Sequence, residues 1–298
     1  MTLQKQLEYS NIPAWHEAGY TGRGINVMNL ETPGGHGSAC SQRVKDAAPD
    51  ATVYETGLSS RTENGEYIAT CKYDGKTYTL EEFIKEYKIR LVIRSTGGRV
   101  KDEIKSAFWQ RLIDKYNVIL VTPSGNEGVK RITSAFPKSV AIYVGACGLS
   151  DSGVVKVKNY SGRGEEVDFV NFTGNLEGTS FAAPYTAGMI ALLLQKNPNM
   201  TWLEAKEYLK MHSKDLETDG HDINTGWGVP VMGKPEIMIT MWIGKNYMSV
   251  DGRQVTLDQA PQIVKETGRT LVPIRAIAEA LGAKVEWDEK TKKITIVR

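Results

Sequence analysis

Short apolar runs alternate with segments of helical spacing along most of the chain. The runs have strand length and predict strands at 25–30, 51–54, 90–93, 118–121 and 139–144. The segments between and after them predict helices at 36–47, 80–87, 104–116, 179–195 and 202–211. Strands separated by helices are typical of an α/β domain with a mostly parallel sheet. In such a sheet, functional sites form where loops leave the carboxyl ends of the strands.

The pattern changes near residue 235. An amphipathic β-like stretch covers 239–250, and a helix is predicted at 273–281. Strands at 284–287 and 293–297 then flank a polar turn and predict a hairpin. We therefore expect a small C-terminal α+β domain. The predicted domains are 1–234 and 235–298.

Composition and charge limit the class of protein. Of 298 residues, 41% are hydrophobic and 24% are charged, which excludes a disordered, collagen-like or coiled-coil chain. The net charge is +2, so nothing indicates nucleic acid or an anionic membrane as the main partner. The three cysteines, Cys40, Cys71 and Cys147, cannot all pair within one chain. No disulfide framework is expected, which favours a reducing compartment.

The N-terminal sequence bears on location. It has no long apolar core behind a basic start, so no signal peptide is predicted. No window reaches the ~18 apolar residues that a membrane helix needs. We expect a cytoplasmic protein, with a secreted or phage-associated protein as the alternative.

One segment with possible chemistry opens the long apolar helix at 179–195. Here the sequence reads Gly178-Thr179-Ser180-Phe181-Ala182-Ala183-Pro184. Ser180 would lie at the positive end of the helix dipole, beside free backbone N–H groups. This position suits a nucleophile whose attack creates an oxyanion. It equally suits an ordinary serine N-cap.

Two other segments carry polar residues after predicted strands. His36 follows Gly34-Gly35 and opens a helix, where its ring can face a cleft or play no role. Asn126 follows Ser124-Gly125, where its amide can donate to an oxyanion or simply belong to a turn. Each segment alone is weak evidence.

Together, the three segments resemble the subtilisin-like serine peptidases, over roughly residues 12–233. The segment Ser95-Thr96-Gly97-Gly98 is similar to the substrate-binding strand of that family. The resemblance implies a subtilisin-like fold, a mostly parallel sheet flanked by helices. It also implies a serine endopeptidase that acts on polypeptides and needs no cofactor.

The resemblance assigns roles to individual residues. Ser180 would attack the peptide carbonyl, and His36 would take its proton and pass it to the leaving amine. The Asn126 side chain and the Ser180 backbone N–H would bind the oxyanion. Ser95, Thr96, Gly97 and Gly98 would pair with the extended substrate.

The acidic member of the triad departs from the family, which uses aspartate. An ungapped count from Gly22 places this position at Glu31, whereas Asn29 needs a two-residue shift and carries no charge. We prefer Glu31, since a carboxylate can orient His36 and stabilise its imidazolium. The competing hypothesis is a catalytically weak or inactive binding or scaffold protein on the same fold.

The interval between Glu31 and His36 is short, whereas the family normally inserts a long loop there. The missing sequence usually helps to form a calcium site, and no Asp-rich loop replaces it. We therefore expect no metal site.

The C-terminal segment resembles a second family. Residues 250–253, 268–275 and 280–287 are similar to the copper amine oxidase N-terminal-like, or stalk, domain. Residues 235–298 contain neither histidine nor cysteine, so a typical copper or zinc site is excluded. We expect a module that binds another protein or a cell-surface component.

Overall fold

The structure is a computed structural model that describes residues 2–95, 103–128, 136–251 and 253–297. It divides into two compact units, which we describe separately. The first comprises 1–15 and 20–233, and the second comprises 16–19 and 234–298.

Seven α-helices are described in the chain up to residue 233. They are α1 (Leu3–Tyr9), α2 (Ile12–Glu17), α3 (Gly35–Ala47), α4 (Leu80–Glu86), α5 (Glu103–Tyr116), α6 (Thr179–Lys196) and α7 (Trp202–Met211). The strands are β1 (Asn26–Asn29), β2 (Thr52–Glu55), β3 (Ser59–Glu63), β4 (Glu66–Tyr73), β5 (Lys76–Thr79), β6 (Leu91–Ile93), β7 (Ile119–Pro123), β8 (Ala141–Leu149), β9 (Val155–Val157) and β10 (Phe169–Phe172).

The main sheet of the first unit has the strand order β10-β8-β7-β6-β1-β2, with β9 attached to β8. Every pair along that order is parallel, and β9 runs antiparallel to β8. Strand β7 is buried throughout, as expected where both faces of a parallel sheet are covered. The predicted α/β class with a mostly parallel sheet is confirmed.

Helix α6 is the most buried helix of this unit. All its residues from Thr179 to Leu194 are buried, as its unbroken apolar sequence indicates. It packs against α3 at Gly188, where a Cβ atom would lie only 2.4 Å from the Val44 carbonyl oxygen. The missing side chain thus allows the two helices to approach closely, and both carry candidate site residues near their N-terminal ends.

A three-stranded antiparallel sheet, β3-β4-β5, is inserted between β2 and α4 and was not predicted. Its turns are Asn64-Gly65 and Asp74-Gly75, all with positive φ, as tight type I′ hairpins require. Tyr67 of β4 is buried in the cluster that also holds Phe83. The insert is therefore part of the folded core.

The second unit is a small α+β arrangement. Its elements are β11 (Ile239–Met241), β12 (Tyr247–Val250), β13 (Arg253–Thr256), β14 (Gln262–Ile263), β15 (Thr270–Leu271), α8 (Ile274–Ala280), β16 (Lys284–Asp288) and β17 (Lys293–Val297). The single β-like stretch predicted at 239–250 is two strands, since a turn separates β11 from β12. The hairpin of β16 and β17 was predicted. The core of this unit contains Met248, Val250 and Leu257.

None of the helices in the described ranges is both long and apolar enough to cross a bilayer.

Candidate active site

The candidate residues lie at one edge of the main sheet. Glu31 follows β1, Ser95 follows β6 and Asn126 follows β7. His36 and Ser180 are each the second residue of their helices, α3 and α6. Parallel strands present their carboxyl ends at the same edge, which explains why distant segments meet here.

The Glu31 carboxylate faces the His36 ring. Its Oε2 lies 3.7 Å from Nδ1 of His36, longer than a hydrogen bond but within ion-pair range. Its Oε1 accepts a hydrogen bond of 3.0 Å from the backbone N–H of Ser95. The Glu31 side chain is only 9% exposed, whereas that of His36 is 44% exposed. The Ser95 N–H thus fixes the Glu31 carboxylate in a buried position, while the His36 ring remains accessible to solvent.

Asn29, the alternative to Glu31 for the third triad position, is fully buried and forms hydrogen bonds with groups other than His36. Its Nδ2 donates to the Gly37 carbonyl oxygen at 2.9 Å and to Ser41 Oγ at 3.0 Å. Its Oδ1 accepts from the backbone N–H of Glu31. These contacts tie the end of β1 to α3.

Ser180 exchanges hydrogen bonds with Ser95. The Ser180 hydroxyl donates to the Ser95 carbonyl oxygen at 2.8 Å, and the Ser95 hydroxyl donates to the Ser180 carbonyl oxygen at 3.0 Å. Among the described contacts, the Ser180 hydroxyl has no hydrogen bond with His36. The resemblance implied such a bond, so the Ser180 hydroxyl has a different orientation here.

The Ser180 carbonyl is available to Ser95 because of Pro184. In a helix, the N–H four residues later would donate to this carbonyl, and proline has none. The Cys40 thiol is a further donor to the same oxygen, at 3.4 Å. Two side chains thus replace one missing backbone hydrogen bond.

Cys40 lies four residues after His36, on the same face of α3. Its Sγ is 3.9 Å from Nδ1 and 4.0 Å from Nε2 of the ring. Burial, with a smaller effect of the Glu31 and Glu55 carboxylates, raises the pKa of this thiol to about 12. Cys40 is a buried free cysteine. Its thiol is therefore protonated at neutral pH and is a poor nucleophile.

Asn126 lies against the first turn of α6. Its Oδ1 accepts hydrogen bonds from the backbone N–H and the hydroxyl of Thr179, at 2.8 and 2.9 Å. This leaves the Nδ2 group as a donor. The backbone N–H of Gly178 is taken by the hydroxyl of Tyr160 at 2.9 Å.

Two features of the site were not predicted. Tyr160 comes from the segment after β9, and no sequence signal relates it to Ser180. Cys40 falls within the helix predicted at 36–47, and its four-residue spacing from His36 could have indicated the contact. Of the predicted substrate strand, Ser95 is described, whereas Thr96, Gly97 and Gly98 lie outside the described residues.

In the described part of the chain, no three His, Cys, Asp or Glu side chains are grouped so that they could hold a metal ion.

Comparison with known families shows to which family the first unit belongs. The sequence matches the model of the subtilase family over residues 24–228, more than two thirds of the chain. The chain belongs to the subtilase family. Residues 228–296 match the copper amine oxidase N-terminal domain, so both resemblances noted in the sequence are confirmed.

Individual relatives are distant. The chain is 25% identical to the minor extracellular protease Epr of Bacillus subtilis, over 61% of this chain and 28% of that protein. It is 23% identical to subtilisin amylosacchariticus of Bacillus subtilis subsp. amylosacchariticus, over 66% of this chain and 62% of that protein. The subtilase thus spans only about a quarter of the length of Epr.

Solved structures agree on the fold. Fervidolysin from Fervidobacterium pennivorans superposes with a TM-score of 0.57 at 18% identity, covering 79% of this subtilase and 46% of fervidolysin. A lanthipeptide protease gives a TM-score of 0.55 at 16% identity, covering 76% and 92%. At these identities the likeness concerns the fold alone.

Proposed function

We propose that this subtilase is a serine endopeptidase with a Ser180–His36–Glu31 triad. The observation that carries the proposal is the 3.7 Å approach of Glu31 Oε2 to His36 Nδ1, at the sheet edge where Ser180 begins α6. A carboxylate at this nitrogen keeps the proton on Nδ1, so that Nε2 can act as the base.

The reaction begins when the Ser180 hydroxyl turns from the Ser95 carbonyl to Nε2 of His36. Its oxygen attacks the peptide carbonyl carbon, and its proton passes to Nε2. The imidazolium is stabilised by Glu31 and then protonates the leaving amine. Water hydrolyses the acyl-enzyme by the same route in reverse.

The negative oxygen of the tetrahedral intermediate needs donors. We assign this role to Nδ2 of Asn126 and the backbone N–H of Ser180, at the positive end of α6. The Oδ1 contacts with Thr179 hold the Asn126 amide in place. In a subtilase relative, loss of an oxyanion-hole asparagine reduces kcat by about 10²- to 10³-fold.

The second unit, in this proposal, binds another protein or a cell-surface component. Support comes from its exposed aromatic side chains, Trp242 and Trp287. Exposed aromatic residues are frequent at binding surfaces.

A competing function is an inactive scaffold on the same fold. The bond from the Ser180 hydroxyl to the Ser95 carbonyl favours it, since this hydroxyl is not on His36.

A fluorophosphonate probe distinguishes the two functions. We expect stoichiometric labelling at Ser180, located by mass spectrometry, which Ser180→Ala and His36→Ala abolish. Ser38→Ala is the matched control, because Ser38 lies on α3 with its hydroxyl on Glu55. Unlabelled but folded protein would establish the scaffold instead.

A further inference from the structure

A cavity lies next to the segment that leads into α6. It has a volume of about 740 Å³ and is bounded by residues 148–150, 154, 156–160 and 173–177. Its lining contains the charged residues Lys156, Lys158 and Glu177. None of the roles proposed above uses this cavity.

The cavity is joined to the active site by Tyr160 and Glu177. The Tyr160 hydroxyl accepts the hydrogen bond from Gly178, two residues before Ser180. Glu177 comes directly before Gly178 in the sequence. These two residues place one wall of the cavity next to Gly178. Since an extended peptide advances about 3.3 Å per residue, we expect a substrate residue near the cleaved bond to reach it.

Lys158 brings a positive charge into the cavity wall. Its side chain is half-buried and lies over Gly148, where a Cβ atom would be 3.1 Å from Cε and 3.4 Å from Nζ. The absence of a side chain at 148 therefore makes room for the lysine.

Neither cavity lysine is neutralised within the described part of the chain. No carboxylate there forms an ion pair with Lys156 or Lys158, although Glu177 belongs to the same lining. Two lysines against one glutamate leave the lining with an excess positive charge. Lys156 is exposed, whereas Lys158 is half-buried. A charge on a half-buried side chain is screened less by water, so Lys158 gains more from an incoming carboxylate than Lys156 does.

We propose that this cavity binds a carboxylate of the polypeptide substrate, with Lys158 as the specificity-determining residue. The inference rests on the proposed peptidase function. The carboxylate comes from an acidic side chain near the cleaved bond or from the C-terminus of a substrate cut close to its end.

Matched peptide substrates test this proposal. One internally quenched peptide is made with Glu, Gln or Lys at each of the three positions on either side of the cleaved bond. We expect kcat/KM for Glu to exceed that for Gln by about tenfold at one of these positions, as one charge-assisted contact provides. A second arm compares free C-terminal carboxylate with C-terminal amide. A preference for the free acid alone assigns the cavity to the substrate terminus.

Variants then locate the preference. Lys158→Gln should abolish the discrimination between Glu and Gln, and Lys158→Glu should favour Lys. Lys85→Gln, at an exposed position of α4, makes the same charge change away from the cavity and should preserve the discrimination. The wild-type preference should also weaken with added salt.

Different results overturn the cavity proposal and the peptidase proposal. Cleavage without any carboxylate preference, or a preference that survives in Lys158→Gln, overturns the cavity proposal and leaves the peptidase intact. A folded protein that cleaves no peptide and takes no fluorophosphonate label overturns the peptidase, and the specificity proposal with it.

Discussion

At the scale of single residues, the proposed triad has a glutamate, Glu31, where the family uses aspartate. One carboxylate oxygen binds the Ser95 N–H and the other faces His36, so the extra methylene is used to span two partners. The position of the carboxylate is thereby set by the backbone after β6.

Glu31→Gln is expected to reduce kcat by roughly 10³- to 10⁴-fold, because a neutral amide cannot stabilise the imidazolium or fix its tautomer. Asn29→Ala is the matched variant at the alternative position. It should cost about 1–3 kcal/mol in the free energy of unfolding, since it removes buried hydrogen bonds, and change kcat little. Steady-state kinetics and urea unfolding measure both. Equal losses of kcat would contradict the choice of Glu31.

The three buried thiols predict a loss of stability in alkali. Burial raises the pKa of Cys40 and Cys71 to about 12 and also raises that of Cys147. Unfolded thiols ionise near pH 8.5–9. The stability that the three protonated thiols add to the folded state is therefore fully present below about pH 8. As the pH rises toward 12, each group lowers the free energy of unfolding by about 1.4 kcal/mol per pH unit.

Urea unfolding between pH 7.5 and 10, in a Ser180→Ala background without self-cleavage, measures this dependence. The variant with Cys40, Cys71 and Cys147 all replaced by alanine should have a markedly flatter profile. An unchanged slope would show that other groups cause the alkaline transition.

At the scale of elements, the sequence predicts those helices and strands whose own residues show an apolar pattern. The apolar stripe of α5 and the unbroken apolar run of α6 predicted both helices. The β3-β4-β5 sheet was missed because β3 is polar and fully exposed, although Asn64-Gly65 is a strong hairpin signal.

In the candidate site, too, some features are visible in the sequence and others arise only in the folded chain. Ser180, His36 and Asn126 stand in sequence motifs and could be singled out. The exchange of hydrogen bonds between Ser95 and Ser180 depends on β6 meeting α6 in space, and nothing in the sequence of either segment encodes it.

Helix α6 carries a proline at its sixth position. Pro184→Ala should stabilise the helix by up to about 3 kcal/mol, because it restores an N–H to the Ser180 carbonyl. That N–H competes with the Ser95 hydroxyl, so the start of α6 shifts and the rate of fluorophosphonate labelling should fall. Thermal unfolding and labelling rates measure the two effects. A variant that is more stable and equally reactive would show that the Ser95 hydroxyl does not position Ser180.

At the scale of the whole first unit, Arg43 connects elements that are far apart in sequence. Its buried guanidinium donates to Gln6 of α1, to the Phe172 carbonyl of β10 and to the Phe181 carbonyl of α6. It also pairs with Asp46, while burial lowers its pKa.

Arg43→Met should destabilise the protein by about 3–5 kcal/mol, because the largely buried Asp46 carboxylate loses its counter-ion and keeps only the hydrogen bond from Gln42. Arg43→Met with Asp46→Leu removes both charges and should recover much of that loss. Urea unfolding of the two variants provides the test. If the double variant is no more stable than the single one, the backbone hydrogen bonds of Arg43 outweigh its ion pair.

Strand β3 is an edge strand of the inserted sheet, and its side chains affect how the protein associates with other molecules. All five side chains of β3 are solvated, and Arg61 and Glu63 pair along it at 2.9 Å. Charged side chains on an open β-edge oppose the addition of strands from other molecules. The edge thus discourages fibril-like association at a place where an apolar strand would promote it.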